Sequence, residues 1–342
     1  MKQNIFIFLL FILTGCFISC EKDIEFKGAV TDPLLVLNSI LTPDSVVSVH
    51  LSQSRFVLGE SAPLKLVSDA AVSAFVNGVL KEQLTYGANG IYRGTFFPKP
   101  GDEIKIEVTA KGFGRIKSQT VIPKNPDIAV TDSTVTVQEG EYTVSNQPNT
   151  VYKTTTRSMQ VQLKLTDAAN EENHYFIKVS QNYYRENQLV MTLPIEVKLS
   201  EVLKNNIAGN MNIFADEGRM DRTDNLFSDL FVNGKEILFD FSFYDTLEST
   251  TYVDGKKTDG GKGEQEELTV EYIIEIGEMT KDLYQYVISG NKAVNAEDYG
   301  PFTEPVRVHT NIENGIGILG AYNTYRFVSR FQTKFHPYYY RS

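Results

Sequence analysis

Tryptophan is absent from these 342 residues, cysteine occurs twice and histidine four times. The last two scarcities each remove a class of function. Both cysteines, Cys16 and Cys20, lie in the one segment LTGCFISCEKD, so everything after Cys20 is thiol-free and has no disulfide framework. The histidines, His50, His174, His309 and His336, are scattered, and none falls in an HExxH or other His/Cys spacing that would make a zinc site. There is no GxSxG elbow and no SxxK. The glycine run GGKGE at 260–264 lacks the preceding strand and following helix that a phosphate-cradling loop needs. Basic residues are outnumbered, 33 Lys and Arg against 43 Asp and Glu, for a net charge of −10. Such a chain is poorly suited to holding nucleic acid or anionic lipid by counterion release. Neither an enzyme nor a cofactor-binding protein is expected.

What is present begins at the N-terminus. Lys2 is followed by nine apolar residues from Ile5, the n-region and h-region of a secretory signal, and the run is too short to span a bilayer. It ends at Thr14 and Gly15 and gives way to Glu21, Lys22 and Asp23. Leu-Thr-Gly-Cys ending at Cys16 and Phe-Ile-Ser-Cys ending at Cys20 both resemble the lipobox of bacterial lipoproteins, in which the cysteine is acylated and becomes the new N-terminus. The first matches the pattern better. The second is better placed, because charged side chains directly after the lipid stay hydrated at the headgroups. Cys20 is favoured and Cys16 is the alternative. This sets a signal peptide at 1–19 and a lipid tether at 20–30. Acyl chains such as palmitate, at about 0.8 kcal/mol per buried methylene, would supply the anchoring that the acidic chain does not.

Strand signals dominate the remainder. Val47, Val49 and Leu51 alternate with polar residues, as do Ile104, Ile106 and Val108, and Met159 to Leu165 is the cleanest case. Asn77-Gly78 and Asn233-Gly234 each read as a tight hairpin turn. The fold class is therefore mainly β: an N-terminal immunoglobulin-like β-sandwich over 31–125, then a larger β-rich domain over 126–342 with about one helix. Pro123 and Pro126 mark a linker between them. The helix lies in EMTKDLYQYVISGN, with Thr280 as cap, Leu283, Tyr286 and Val287 as its apolar face, and Gly290 as its stop. Residues 253–267, rich in Gly and charge and without periodicity, read as a long mobile hairpin loop, inert or a partner contact.

Two further features admit binding. The stretch ADEGRMDRTDN holds Asp216, Glu217, Asp221 and Asp224, but not at EF-hand spacing, and Arg219 and Arg222 sit among them, so a solvated loop is preferred to a Ca²⁺ site. Tyr and Phe number 18 and 21. They cluster at Tyr183 and Tyr184, where core packing is the first reading and a partner interface the second, and at Tyr338 to Tyr340, a last strand or a docking tail.

Four further pieces stand out: CEKDIEF at 20–26, NGIYRGTFFPKPGDEIKIEV at 89–108, FSDLFVNGKEI at 227–237 and PVRVHTNIENGIGILGAYN at 305–323, the last two being the most specific. On these the chain from Cys20 to about Phe331 resembles a family of Bacteroidota lipoproteins described as a domain of unknown function, DUF4249. The family places its anchor at the position of Cys20. The piece at 89–108 is also similar to the β-sandwich of carboxypeptidase-like and TonB-associated proteins. Family members commonly accompany TonB-dependent outer-membrane transporters. The resemblance thus implies a lipid-anchored outer-membrane protein, on the cell surface or the periplasmic face, that is a non-enzymatic binding accessory to such a transporter. A structural or adhesive surface subunit is the alternative, and a hydrolase is the least expected. Secreted Bacteroidota proteins carry O-glycans at Asp-Ser/Thr followed by an apolar residue or Thr, which marks Ser45, Ser133 and Thr246. Gly315, Gly317 and Gly320 are read as permitting a bulge or close backbone approach.

Overall fold

The computed structural model describes residues 32–55, 63–204, 225–258, 266–297 and 306–335. The chain is mainly β, with one long helix among the described residues. Its first part supplies β1 (Leu35–Leu41), β2 (Ser48–Gln53), β3 (Ala71–Val76), β4 (Val79–Gln83), β5 (Thr85–Tyr86), β6 (Ile91–Arg93), β7 (Glu103–Thr109) and β8 (Ile116–Val121). The alternation seen in the sequence becomes the pleat: Val47, Val49, Leu51, Ile104, Ile106 and Val108 are all at most 1 % exposed. Asn77 and Gly78 take φ of 50° and 81°, the conformation that lets a two-residue turn match strand twist, and close the β3–β4 hairpin.

The second part contains β9 (Asp127–Val144), β10 (Gln147–Thr166), β11 (His174–Arg185), β12 (Gln188–Ile195), β13 (Leu203–Lys204), β14 (Leu226–Ser228), β15 (Glu236–Val253), β16 (Lys256–Thr258), β17 (Glu266–Met279) and β18 (Ile316–Phe335). The helix α1 (Lys281–Glu297) lies between β17 and β18. Three sheets result. One runs β12-β11-β17-β18-β1-β2-β6-β5, with β14 beside β11; the second runs β13-β15-β10-β9, with β16 beside β15; the third runs β4-β3-β7-β8.

Two cores follow from how these sheets face each other. The first collects Leu35, Leu37, Leu51, Val72, Ile104 and Ile116 from both of its sheets. It also takes Ile312, Leu319 and Ala321 from the far end of the chain. The second packs Met159, Leu163 and Phe239 against Tyr175, Ile177 and Ile274. Each such side chain contributes about 1.5–3 kcal/mol on burial. The two sandwiches share the long sheet, because β18 pairs in parallel with β1 from Val36↔Ile316 to Leu41↔Ala321 and then antiparallel with β17.

Three local expectations are corrected, at Asn233-Gly234, at Gly290 and at the segment read as a linker. Asn233-Gly234 does not close a hairpin: β14 pairs with β11 while β15 pairs with β10, so the segment crosses from one sheet to the other. The Asn233 side chain is used elsewhere, accepting from Asn170 N and donating to Glu171 O. Gly290 does not end α1, which continues to Glu297 through the helix-compatible NKAVNAE. Residues 253–258 form a hairpin turned by Asp254 and Gly255 at φ of 49° and 73°, with β16 paired to β15. Residues 259–265 of that segment lie outside the described residues. The segment read as a linker is packed, with Pro123 and Pro126 buried.

Candidate functional site

Of the two sequence motifs with the strongest individuality, 305–323 meets α1 directly, and 227–237 is tied to the segment 167–175 that leads into β11. At 227–237, Phe227 pairs with Tyr175 across the β11–β14 ladder, and a 3-10 turn at Asp229–Phe231 follows. Asp167 is the hub of this crossing. It accepts from the Tyr175 hydroxyl at 2.7 Å and from Gly234 N at 2.7 Å. Asp229 accepts from Asn233 Nδ2 at 3.2 Å, and its own N–H donates to Asn173 O at 3.0 Å. Asn173 Nδ2 then donates to Glu278 at 3.0 Å. Burial pushes the Asp229 and Glu278 carboxyls above the ordinary carboxylate range and raises the Tyr175 hydroxyl.

Beside this network His174 is 4 % exposed, its ring 4.5 Å from that of Tyr284 on α1. Its Nε2 lies 3.6 Å from Glu172, which also binds Lys281 at 2.7 Å. Burial holds the imidazole below its ordinary value. Asn173 Oδ1 and His174 Nδ1 are buried without a hydrogen-bond partner among the described residues.

The motif at 305–323 docks on the other side of α1. His309 Nε2 is 2.8 Å from Asp282, and Asn311 Nδ2 reaches the same carboxylate at 3.3 Å. Asn311 also exchanges hydrogen bonds with the backbone of Leu319. Thr280 carries its carbonyl to Tyr284 N and accepts Ala321 N on its hydroxyl, so it holds β18 as well as starting the helix. A serine near a His–Asp pair invites comparison with a nucleophilic triad. Here Ser289 Oγ is 2.6 Å from Gln285 O and accepts from the main-chain N–H of His309, so it ties the helix to the motif. The glycines serve close approach: a Cβ on Gly317, at φ of 113°, would meet Leu37 O at 2.1 Å, and one on Gly320 would meet Leu283. Both motifs therefore spend their polar groups on holding β11, α1, β18 and the first sandwich together. Among the described residues no group of three or more His, Cys, Asp or Glu is placed to hold a metal ion.

A different surface is left open. β9, β10, β15 and β16 continue past the second core as an exposed ribbon, and β9 is the last strand of its sheet. Where the ribbon leaves the core, the buried Arg157 pairs with Asp245 at 2.5 Å, donates to Gln332 O and lies 4.3 Å from the Phe331 ring centroid. Stacked Tyr142 and Tyr152 rings, 5.1 Å apart, lie further out.

Cys16 and Cys20, the acidic stretch at 215–225 except Asn225, and Tyr338 to Tyr340 lie outside the described residues. Ser45 sits on an exposed turn, and Ser133 and Thr246 are exposed on β9 and β15. The three hydroxyls are not brought together. Asp245, the acidic residue of the third glycan triplet, is occupied by Arg157 and Thr333. Of the first aromatic cluster, Tyr183 joins the core, while Tyr184 donates to Glu271 at 2.7 Å beneath the Arg330 guanidinium. The long edge of β9 escaped sequence reasoning. Its alternation is confined to two short runs, Ile128 with Val130 and Val135 with Val137, separated by a register shift, and its place at the sheet edge is set by pairing with β10.

No described helix is long and apolar enough to cross a membrane. Fold and site together define a two-sandwich β protein whose polar motifs weld its parts and whose open feature is a sheet edge. The chain belongs to the family described as Domain of unknown function (DUF4249), which matches residues 21–327. No curated protein matches it.

Proposed function

We propose that this protein is a lipid-anchored component of the cell envelope, attached through Cys20 to the outer membrane of a Bacteroidota-type cell, that works as a non-enzymatic binding accessory to a TonB-dependent transporter. The observation that carries the reading is the contrast between committed and open surfaces. The polar groups of the two most specific motifs are used in internal ties, whereas the ribbon of β9, β10, β15 and β16 offers an uncovered surface. A signal-like N-terminus ending in two lipobox-like cysteines, followed by the charged Glu21-Lys22-Asp23, supports the anchor. The resemblance to lipoproteins that accompany TonB-dependent transporters is the reason for naming a transporter as the neighbour.

The test is affinity purification of the intact lipoprotein from mild-detergent extracts with mass spectrometry of what accompanies it. A β-barrel receptor is expected. Recovery of a self-polymer, together with lost attachment on gene deletion and no nutrient phenotype, would replace the accessory role by the adhesive one. Intact-mass analysis of the mature chain should show lipid on Cys20. A lipidated Cys16 with Phe17, Ile18 and Ser19 retained refutes that anchor.

A further inference from the structure

We propose that β9 is a docking edge for an extended, basic segment of a partner protein, which adds to the sheet as an extra strand; this rests on the binding reading above. The reason lies in how the other sheet edges end. β4 carries Lys81, and β8 carries Lys117, which is paired with Glu313. β12 has eight residues and contains Pro194, and β5 has two. The outer side of β15 bears β13 and β16, the latter with Lys256 and Lys257. Lysine, proline, shortness, other charges and bulges are the devices by which sheets avoid unwanted edge pairing. β9 uses only the last two, with four acidic residues and a register shift between Val130 and Asp132 against β10. It runs 18 residues, roughly 60 Å at strand rise, without Lys, Arg or Pro, and pairs only with β10 among the described residues.

Side-chain chemistry narrows the occupant. The register sets Val130 opposite Leu163 and Val135 opposite Met159, so these valines share the side of the sheet that faces the core. Yet Val130 is 43 % and Val135 45 % exposed, because that face continues beyond the opposing sheet. An added strand could place apolar residues beside them. β9 also carries Asp127, Asp132, Glu139 and Glu141 and no cation. A second copy pairing edge to edge would set acid against acid, which is destabilising for cross-strand neighbours. The complementary occupant alternates apolar or β-branched residues with Lys or Arg and pairs through its backbone.

The intact lipoprotein in mild detergent is titrated with a synthetic strand of about ten residues alternating Val or Thr with Lys, and with the same peptide carrying Glu for Lys, following amide exchange by mass spectrometry. The Lys probe should slow exchange across β9 about tenfold, and the Glu probe should not. Combining Asp132→Lys with Glu139→Lys should weaken Lys-probe binding by about tenfold at unchanged melting temperature, and added salt should weaken it in the native chain. No protection of β9, equal binding of both probes, association of two copies through β9, or a glycan on Ser133 occupying the strand would each overturn the proposal. Purification with the same double variant separates the two readings. A transporter recovered equally by native and variant chains sinks the edge and leaves the accessory role standing. If the native chain brings down no partner while the Lys probe protects β9, the transporter assignment fails instead.

Discussion

At the scale of single residues, His174 has the sharpest physical consequence. It is 4 % exposed, its Nδ1 has no hydrogen-bond partner among the described residues, and the charged groups facing it are Glu172, Lys281 and Asp229. Burial outweighs the attraction of Glu172 and Asp229, so the folded-state pKa lies below the unfolded value of about 6.5. A depressed imidazole pKa means that folding favours the neutral ring. Its contribution is fully present above about pH 6.5 and is lost as pH falls through the folded value. Asp229 and Glu278 act in the opposite sense. Burial raises their folded pKa values, so the stability they contribute is present at low pH and lost as pH rises through those values. The two carboxyls are common to the native chain and to His174→Gln, so across pH 5, 6 and 7 the urea midpoint of the native chain relative to that variant should fall toward pH 5. An unchanged slope in the variant would show that the imidazole does not control it.

At the scale of elements, α1 shows how far local sequence carries. Its apolar face and its start at Thr280 are readable, but Gly290 is a misleading stop signal. The helix passes through it, and a Cβ there would meet nothing within 4 Å. Gly290→Ala should raise stability by about 1 kcal/mol through helix propensity and reduced unfolded-state freedom. A thermal or urea midpoint that moves down would mean that the glycine serves a contact beyond the described residues. The same divide runs through the strands. Val47-Val49-Leu51 and Met159 to Leu165 are legible because one face is buried, and Asn77-Gly78 because its turn is entirely local. Asn233-Gly234 has the same letters, but its side-chain partners Asn170 and Glu171 lie more than 60 residues away. Residues 253–258 lack periodicity because their hairpin is largely exposed on both faces, so Asp254-Gly255 was the one usable sign. As for the site, the individuality of 227–237 and 305–323 was legible, but their role as ties was not. That role depends on Asp167 and Asp282 arriving from other elements.

At the scale of the whole molecule, β18 decides whether the two sandwiches behave as one body. Its first residues complete the first core with Leu319 and Ala321 and pair with β1; its later residues pair with β17 over the second core. Asn323 Nδ2 also donates to Pro123 O, 200 residues earlier, and Ser118 Oγ to Asn311 O. Loosening this strand should therefore be felt on both sides. Gly317 is the point at which to do so, since an added methyl would meet Leu37 O at 2.1 Å in a backbone conformation that side chains rarely adopt. Gly317→Ala should cost about 3 kcal/mol or more, in the range of strain and overpacking combined. Amide exchange should quicken together in β7, which belongs to the first core, and in β17, which belongs to the second. Native unfolding in urea should likewise bring both strands down at one midpoint. If the variant quickens exchange in β7 while β17 keeps its native protection, β18 joins two independently stable units, and a force arriving at an edge of the second sandwich would not be transmitted to the first.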